Sequence, residues 1–184
     1  TGSRERGLRL CGFEGTKPVL LQMGGSLGAV KINDCLREAL PSLLETFDII
    51  HLCGKGHAEE RLQKKAGYCQ FEYVTDELAD LFAAADVLIS RAGSNAIAEF
   101  LALKKPNLLI PLSRSASRGD QILNAASYEK QGFSMVLQEE EMTPATLEER
   151  VQRLYADRAK YIHAMEQSAQ NNGVEAVMAQ IRQF

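Results

Sequence analysis

At 184 residues, 45% of them hydrophobic, the chain is long enough for one ample domain with a sizeable core and short for two. A net charge of −3 excludes a broad basic surface for nucleic acid, and no polybasic block or run of about 18 apolar residues offers a membrane attachment. The four cysteines (Cys11, Cys35, Cys53 and Cys69) show no Cys-x-x-Cys pairing and no histidine at metal-ligand spacing, the pattern of a reduced, intracellular protein without a metal centre.

The chain opens on Thr1 with a polar, arginine-rich lead-in, and we expect it to be a piece of a longer protein. Residues 1–16 are expected as an entry segment, with Leu8, Leu10 and Phe13 covering the sheet edge. Residues 18–23 (PVLLQM) form a first buried strand, and the turn Gly24-Gly25-Ser26-Leu27-Gly28-Ala29 leads into a helix over 30–44. Ile32, Leu36, Ala39, Leu40 and Leu43 share one face of that helix. A second strand over 48–53 ends at Gly54-Lys55-Gly56, a short charged helix spans 58–65, and a third strand covers 69–74. Thr75 or Asp76 caps a helix over 77–85. Then comes the best-punctuated stretch: strand 87–89, turn 90–95, helix 96–103, a stop at Lys104-Lys105-Pro106, and strand 108–110. An irregular polar loop over 113–119 precedes a helix over 121–130, a strand over 134–137 and an acidic turn over 138–141. A helix opened by Pro144 and two tail helices over 155–169 and 174–183 complete the chain. This alternation, without internal repeat or low-complexity linker, predicts one α/β domain built on a doubly wound, Rossmann-like parallel sheet. In such sheets the ligand lies outside the carboxyl ends of the strands.

Three glycine turns fall at strand ends. In the first, Gly24 to Ala29, small residues let the backbone approach a phosphate, and the following helix supplies unpaired N–H groups and partial positive charge. It serves equally as a tight β-α turn with no ligand, since it lacks the dinucleotide glycine spacing and the Gly-Lys-Ser/Thr of a P-loop. In the second, Lys55 either reaches an anion or stands in solvent. The third, Arg91-Ala92-Gly93-Ser94-Asn95, has Glu99 about one turn behind it. That carboxylate either complements the helix dipole or accepts two hydrogen bonds from a vicinal diol such as a ribose. Downstream, Asp120, Gln121 and Asn124 leave the 113–119 loop on adjacent helical faces. They act there as cap and support, or as a polar grip on a sugar or diphosphate. His51, His57 and His163 are expected in structural or solvent-facing places, not as a catalytic base, and no Asp-x-Asp pair stands beside the glycine turns.

The succession of GGSLGA, SRAG…AIAE, a proline-bounded strand and DQxxNA resembles the carboxyl-terminal half of a GT-B glycosyltransferase, and more closely the bacterial MurG family, over nearly the whole chain. The resemblance implies that residues 1–184 are a single donor-binding domain for UDP-N-acetylglucosamine (UDP-GlcNAc). The intact enzyme would transfer GlcNAc to undecaprenyl-pyrophosphoryl-MurNAc-pentapeptide, making lipid II for peptidoglycan. It further implies an inverting displacement that needs no metal or other cofactor, with helix amino ends stabilising the departing UDP. Carried over position by position, Gly25, Ser26 and Gly28 would meet the UDP diphosphate or the acceptor pyrophosphate, and Val74 and Thr75 would recognise uracil through their backbone. Arg91 and Gly93 would lie in the nucleotide pocket, Ser94 and Asn95 at the phosphate-facing helix start, and Glu99 on the ribose hydroxyls. Asp120 and Gln121 would contact the sugar hydroxyls, where some relatives carry Gln-Gln, and Asn124 would support the helix. In this family the catalytic base and the membrane-facing patch belong to an amino-terminal acceptor domain with no counterpart in these residues. The domain alone is then expected to bind donor without turning it over, and the intact protein to work as a peripheral enzyme on the cytoplasmic face of the cell membrane. Two further readings use the same architecture: half of an epimerase-like UDP-sugar enzyme, or one subunit of a split lipid-linked-sugar transferase.

Overall fold

Six short runs, most of them rich in Val, Leu and Ile, pair into one sheet: β1 (Val19–Met23), β2 (Asp48–Leu52), β3 (Tyr68–Phe71), β4 (Val87–Ser90), β5 (Asn107–Leu109) and β6 (Ser134–Val136). Every pairing is parallel and the order is β3-β2-β1-β4-β5-β6. These come from a computed structural model, which describes residues 1–24 and 29–182. Successive apolar residues in a strand require cover on both faces, and the helices supply it. In chain order they are α1 (Arg4–Cys11), α2 (Val30–Leu43), α3 (Leu78–Ala84), α4 (Ser94–Leu103), α5 (Arg114–Ser117), α6 (Asp120–Lys130), α7 (Pro144–Ala156) and α8 (Arg158–Ile181).

Strand alternation divides the core in two. Leu20, Ile49, Val87, Ile89, Leu108 and Met135 face α2, α7 and the start of α8. Val19, Leu21, Ile50, Leu88, Leu109 and Val136 face the opposite layer, with α3, α4 and Ala125 of α6. The chain winds outward from β1 to β3, returns through α3 to β4 on the other side of β1, and winds outward again to β6. The direction of winding therefore reverses between β1 and β4, which is where open sheets of this kind leave a crevice.

Several expectations need correction. Within the entry segment, for which no element was expected, residues 4–11 form a helix: Ser3 caps it by accepting from Arg6 N, and Gly12 ends it in the left-handed conformation at φ 72°. Its stability comes from α3. Arg6 pairs with Asp80 at 3.1 Å, Ser3 N donates to the same carboxylate at 2.7 Å, and a Cβ on Gly7 would fall 2.3 Å from the Asp80 carbonyl oxygen. Leu8 and Phe13 pack on the core as expected, whereas Leu10 is 45% exposed. The charged helix expected over 58–65 is a single 3-10 turn at Glu60–Leu62. The N-cap of α3 is Glu77, without a side-chain cap, and neither Thr75 nor Asp76 fills that role. The polar loop over 113–119 contains the one-turn helix α5, and the two tail helices are one continuous helix, α8.

Candidate functional site

β1 and β4 end side by side, with Leu21 opposite Leu88 and Gln22 opposite Ile89. Past these ends the chain turns into α2 on one face of the sheet and α4 on the other. The crevice between them encloses a cavity of about 350 Å³. Met23 and Gly24 form its floor, Ala29 and Val30 one wall, Ser90, Arg91, Gly93 and Ala96 the other, and Leu112 and Gln121 close the side. A smaller cavity of about 210 Å³ shares Met23 and continues along the ends of β2 and β3, lined by Leu52, Gly54, Glu72, Tyr73, Val74 and Leu78.

Both α2 and α4 start at the larger cavity, through Ala29–Val30 and Gly93. The N-cap of α2 is Ala29 and that of α4 is Gly93; neither helix has a side-chain cap bond or an acidic residue in its first turn. Each helix thus presents orphan N–H groups and roughly half a positive charge to the crevice. Gly93 has an ordinary φ of −67°, and a Cβ built there would meet nothing within 4 Å. Nothing in the described protein around it demands glycine. What a side chain would take up is the open space of the crevice.

The polar residues around the cavity fall into two groups. Gln121 Oε1 accepts from Ala92 N at 3.2 Å and from Leu112 N at 3.0 Å, and Asn124 Nδ2 donates to Ala92 O at 3.0 Å. These bonds tie α6 to the turn after β4, and with both oxygen lone pairs engaged Gln121 can offer a ligand only its amide nitrogen. Arg91 donates to Ile110 O at 3.2 Å and pairs with Glu139 at 2.9 Å, the two side chains being 11% and 8% exposed. Arg91 therefore lines the cavity while its charge is balanced by a buried carboxylate 48 residues away. Asn124 supports the helix, as expected.

The second group stands open. Ser94 and Asn95 are exposed in the first turn of α4, and Glu99 is exposed two residues beyond Ile97. Glu99 follows Ala96 by three positions and so neighbours it on the helix surface, beside the cavity wall. Asp120 is exposed as the first residue of α6; Gly119, at φ 89°, is the N-cap, so Asp120 is not one. Val74 lines the smaller cavity, whereas Thr75 is exposed and its N–H donates to Glu77 Oε2 at 3.3 Å. Gly25, Ser26 and Gly28 lie outside the described residues. Among the described residues no three His, Cys, Asp or Glu side chains are grouped to hold a metal ion.

A buried network went unforeseen. His51 is fully buried beneath the start of α2, with Nδ1 2.7 Å from the Tyr68 hydroxyl and Nε2 2.8 Å from Asn33 Oδ1. His51 was visible in the sequence as a strand residue; its partner on α2, Asn33, was not.

A family model described as the glycosyltransferase family 28 C-terminal domain matches residues 19–181. The chain is 55% identical over 181 residues to the UDP-N-acetylglucosamine--N-acetylmuramyl-(pentapeptide) pyrophosphoryl-undecaprenol N-acetylglucosamine transferase of Geobacillus thermodenitrificans, covering 98% of this chain and 51% of that protein. It is 52% identical over 183 residues to the Clostridium botulinum protein of the same description, covering 100% and 52%. The chain thus spans about half the length of these curated relatives. Among solved structures, Acinetobacter baumannii MurG matches with a TM-score of 0.71 and 26% identity over 99% of this chain and 53% of that one. The glycosyltransferase VinC, solved in complex with dTDP, shares the fold at a TM-score of 0.64 and 16% identity, over 94% and 43%.

Proposed function

Because the chain belongs to the glycosyltransferase family 28 C-terminal domain family, we propose that it is the donor half of a GT-B enzyme that moves GlcNAc from UDP-GlcNAc to the undecaprenyl-pyrophosphoryl-MurNAc-pentapeptide of peptidoglycan synthesis. The observation that carries this reading is the pair of uncapped helix amino ends, α2 and α4, opening on one cavity at the reversal between β1 and β4. Such a pair suits a diphosphate, whose two charged groups meet N–H donors without a basic side chain.

In this reading the nucleotide crosses the carboxyl ends of the strands. Uracil sits by the smaller, largely apolar cavity and is recognised by the backbone of Val74 and Thr75, the Thr75 N–H exchanging Glu77 Oε2 for the base. Glu99 accepts from the two ribose hydroxyls. The diphosphate lies between α2 and the Gly93-Ser94-Asn95 start of α4; the contacts carried over to Gly25, Ser26 and Gly28 fall outside the described residues. Asp120 and the Gln121 amide meet the sugar hydroxyls. Negative charge grows on the departing UDP as the anomeric bond breaks, and fixed N–H dipoles in a crevice stabilise that charge without reorganising. The attacking hydroxyl must lose a proton to a base, and none of the residues around this cavity is assigned that task. We assign the base and the acceptor site to an amino-terminal acceptor domain, in the part of the relatives that this chain does not span. The intact protein would then act at the inner face of the cell membrane as a peripheral enzyme. No helix among the described residues is long and apolar enough to cross a membrane.

Calorimetric titration with UDP-GlcNAc, UDP, a GDP-sugar and NAD tests the reading. Only the uridine ligands are expected to bind, and Glu99→Ala should weaken both by roughly tenfold to a hundredfold, the worth of charge-assisted hydrogen bonds. Equal binding of GDP-sugar or NAD, or unchanged affinity in Glu99→Ala, would overturn it.

A further inference from the structure

Beneath the first turn of α2 the sheet carries polar side chains where apolar ones would pack. In the strand register Gln22, His51 and Gln70 stand side by side across β1, β2 and β3, and Gln22 and His51 are fully buried. The hydrogen bonds run from β3 toward α2. The Tyr68 hydroxyl lies 3.4 Å from Gln70 Oε1 and 2.7 Å from His51 Nδ1. His51 Nε2 lies 2.8 Å from Asn33 Oδ1, and Asn33 Nδ2 donates to Cys53 O at 2.8 Å. The direction of each bond follows. The Asn33 amide nitrogen is held on a carbonyl, so its oxygen faces the ring; Nε2 must then carry the hydrogen, and Nδ1 accepts from the Tyr68 hydroxyl. One neutral tautomer serves both Asn33 and Tyr68; the single Tyr68 hydrogen then goes to Nδ1 rather than to the more distant Gln70 Oε1, and burial, with the nearby Arg37 charge, pushes the imidazole pKa down to about 3.

Asn33 is where this network meets the helix. Its N–H donates to Ala29 O at 2.8 Å, closing the first turn of α2, and residues 30–32 ahead of it hold N–H groups with no acceptor inside the helix. Apolar packing is non-directional and resists sliding along the helix axis poorly, whereas a hydrogen bond loses strength steeply with misalignment. We propose that Asn33, oriented by His51 and Tyr68, is a positioning residue that fixes the first turn of α2 so that its free N–H groups meet the donor's diphosphate. This rests on the donor-site reading above. Gln22 fits the same account: both of its amide atoms are buried without a partner among the described residues, a cost to stability that marks the row as kept for another purpose.

The test separates phosphate from base. Uridine and UDP are titrated by NMR into the wild type, Asn33→Leu and Tyr68→Phe, the last removing a single oxygen and serving if Asn33→Leu fails to fold. Loss of one well-aligned bond should weaken UDP by about fivefold and leave uridine unchanged. A folded Tyr68→Phe with the wild-type ratio of UDP to uridine affinity overturns the positioning role. A wild type that binds neither ligand overturns the donor-site reading, and this inference with it.

Discussion

Acidification from neutral pH should cost this protein stability above all through His51. In the unfolded chain a histidine takes its proton near pH 6.5, whereas in the fold burial and the Arg37 charge hold the imidazole down to about 3. Between those values the unfolded state binds one more proton than the folded state, so stability rises with pH throughout the window and is lost as pH falls below 6.5. The loss is about 2 kcal/mol at pH 5 and reaches about 5 kcal/mol below pH 3, taking 1.36 kcal/mol per pH unit. Against a total of roughly 5–15 kcal/mol for a domain, that is a substantial fraction.

Urea denaturation at pH 8, 6.5 and 5, on the wild type and on His51→Gln, isolates the effect. The variant will be less stable at every pH, since it loses the ring and its bonds; the informative quantity is the difference in pH slope. Other perturbed groups, such as Asp48, raised by burial, and Asp80, lowered by its hydrogen bond with Arg6, contribute to both curves alike. The wild type should lose about 2 kcal/mol more than the variant between pH 8 and pH 5. Parallel curves would refute the reasoning, as would an NMR resonance, absent from His51→Gln, that titrates near 6.5 in the folded protein.

Two more substitutions have signs set by the structure. Gln22→Leu should stabilise the fold by about 1–3 kcal/mol in chemical denaturation, because it replaces a buried amide with no partner among the described residues by an apolar side chain; a loss of stability would reveal a partner for that amide. Glu139→Ala leaves the Arg91 guanidinium buried without its counter-charge, and should cost about 3–5 kcal/mol in the same assay while weakening UDP binding through the displaced turn after β4.

The strands were legible because residues such as 19–21, 87–89 and 108–110 are apolar at consecutive positions, which only a strand buried on both faces accommodates at that length. The stop of α4 was legible too: Lys104 takes the left-handed conformation before Pro106. What failed depended on distant partners. Helix α1 is short and arginine-rich, and its anchors, Asp80 and the α3 backbone, lie more than seventy residues away. The tail expected as two helices, over 155–169 and 174–183, runs as one through residues 170–173, since Asn and Gly cost a helix only about 1 kcal/mol or less per residue, too little to end one already running. The cavity's location followed from glycine turns at strand ends. The division of labour among its polar residues did not, since a glutamine or arginine beside a glycine turn looks the same whether it holds the wall or waits for a ligand. In the fold Gln121 Oε1 is engaged by Ala92 N and Leu112 N, and Arg91 by Glu139, partners that local sequence does not reveal.

The helix amino ends carry a charge pattern that separates the parts of the proposed donor. α2 and α4 have no acidic residue in their first turns, so their N–H groups and partial charge are free for an anion. α6 opens on Asp120, whose carboxylate offsets its own helix end and would repel a phosphate brought there. A neutral hydroxyl, by contrast, can donate to that carboxylate. In the proposed complex the diphosphate is therefore expected between α2 and α4, and the end of α6 suits the sugar. On this argument Asp120→Asn should leave UDP affinity unchanged or slightly higher, since one negative charge has gone from the rim. The same variant should bind UDP-GlcNAc about threefold to tenfold more weakly, as a neutral amide replaces a charged acceptor of a sugar hydroxyl. Parallel calorimetric titrations of UDP and UDP-GlcNAc read both values on one protein preparation. Equal losses for the two ligands would place Asp120 on the nucleotide and break the assignment of α6 to the sugar.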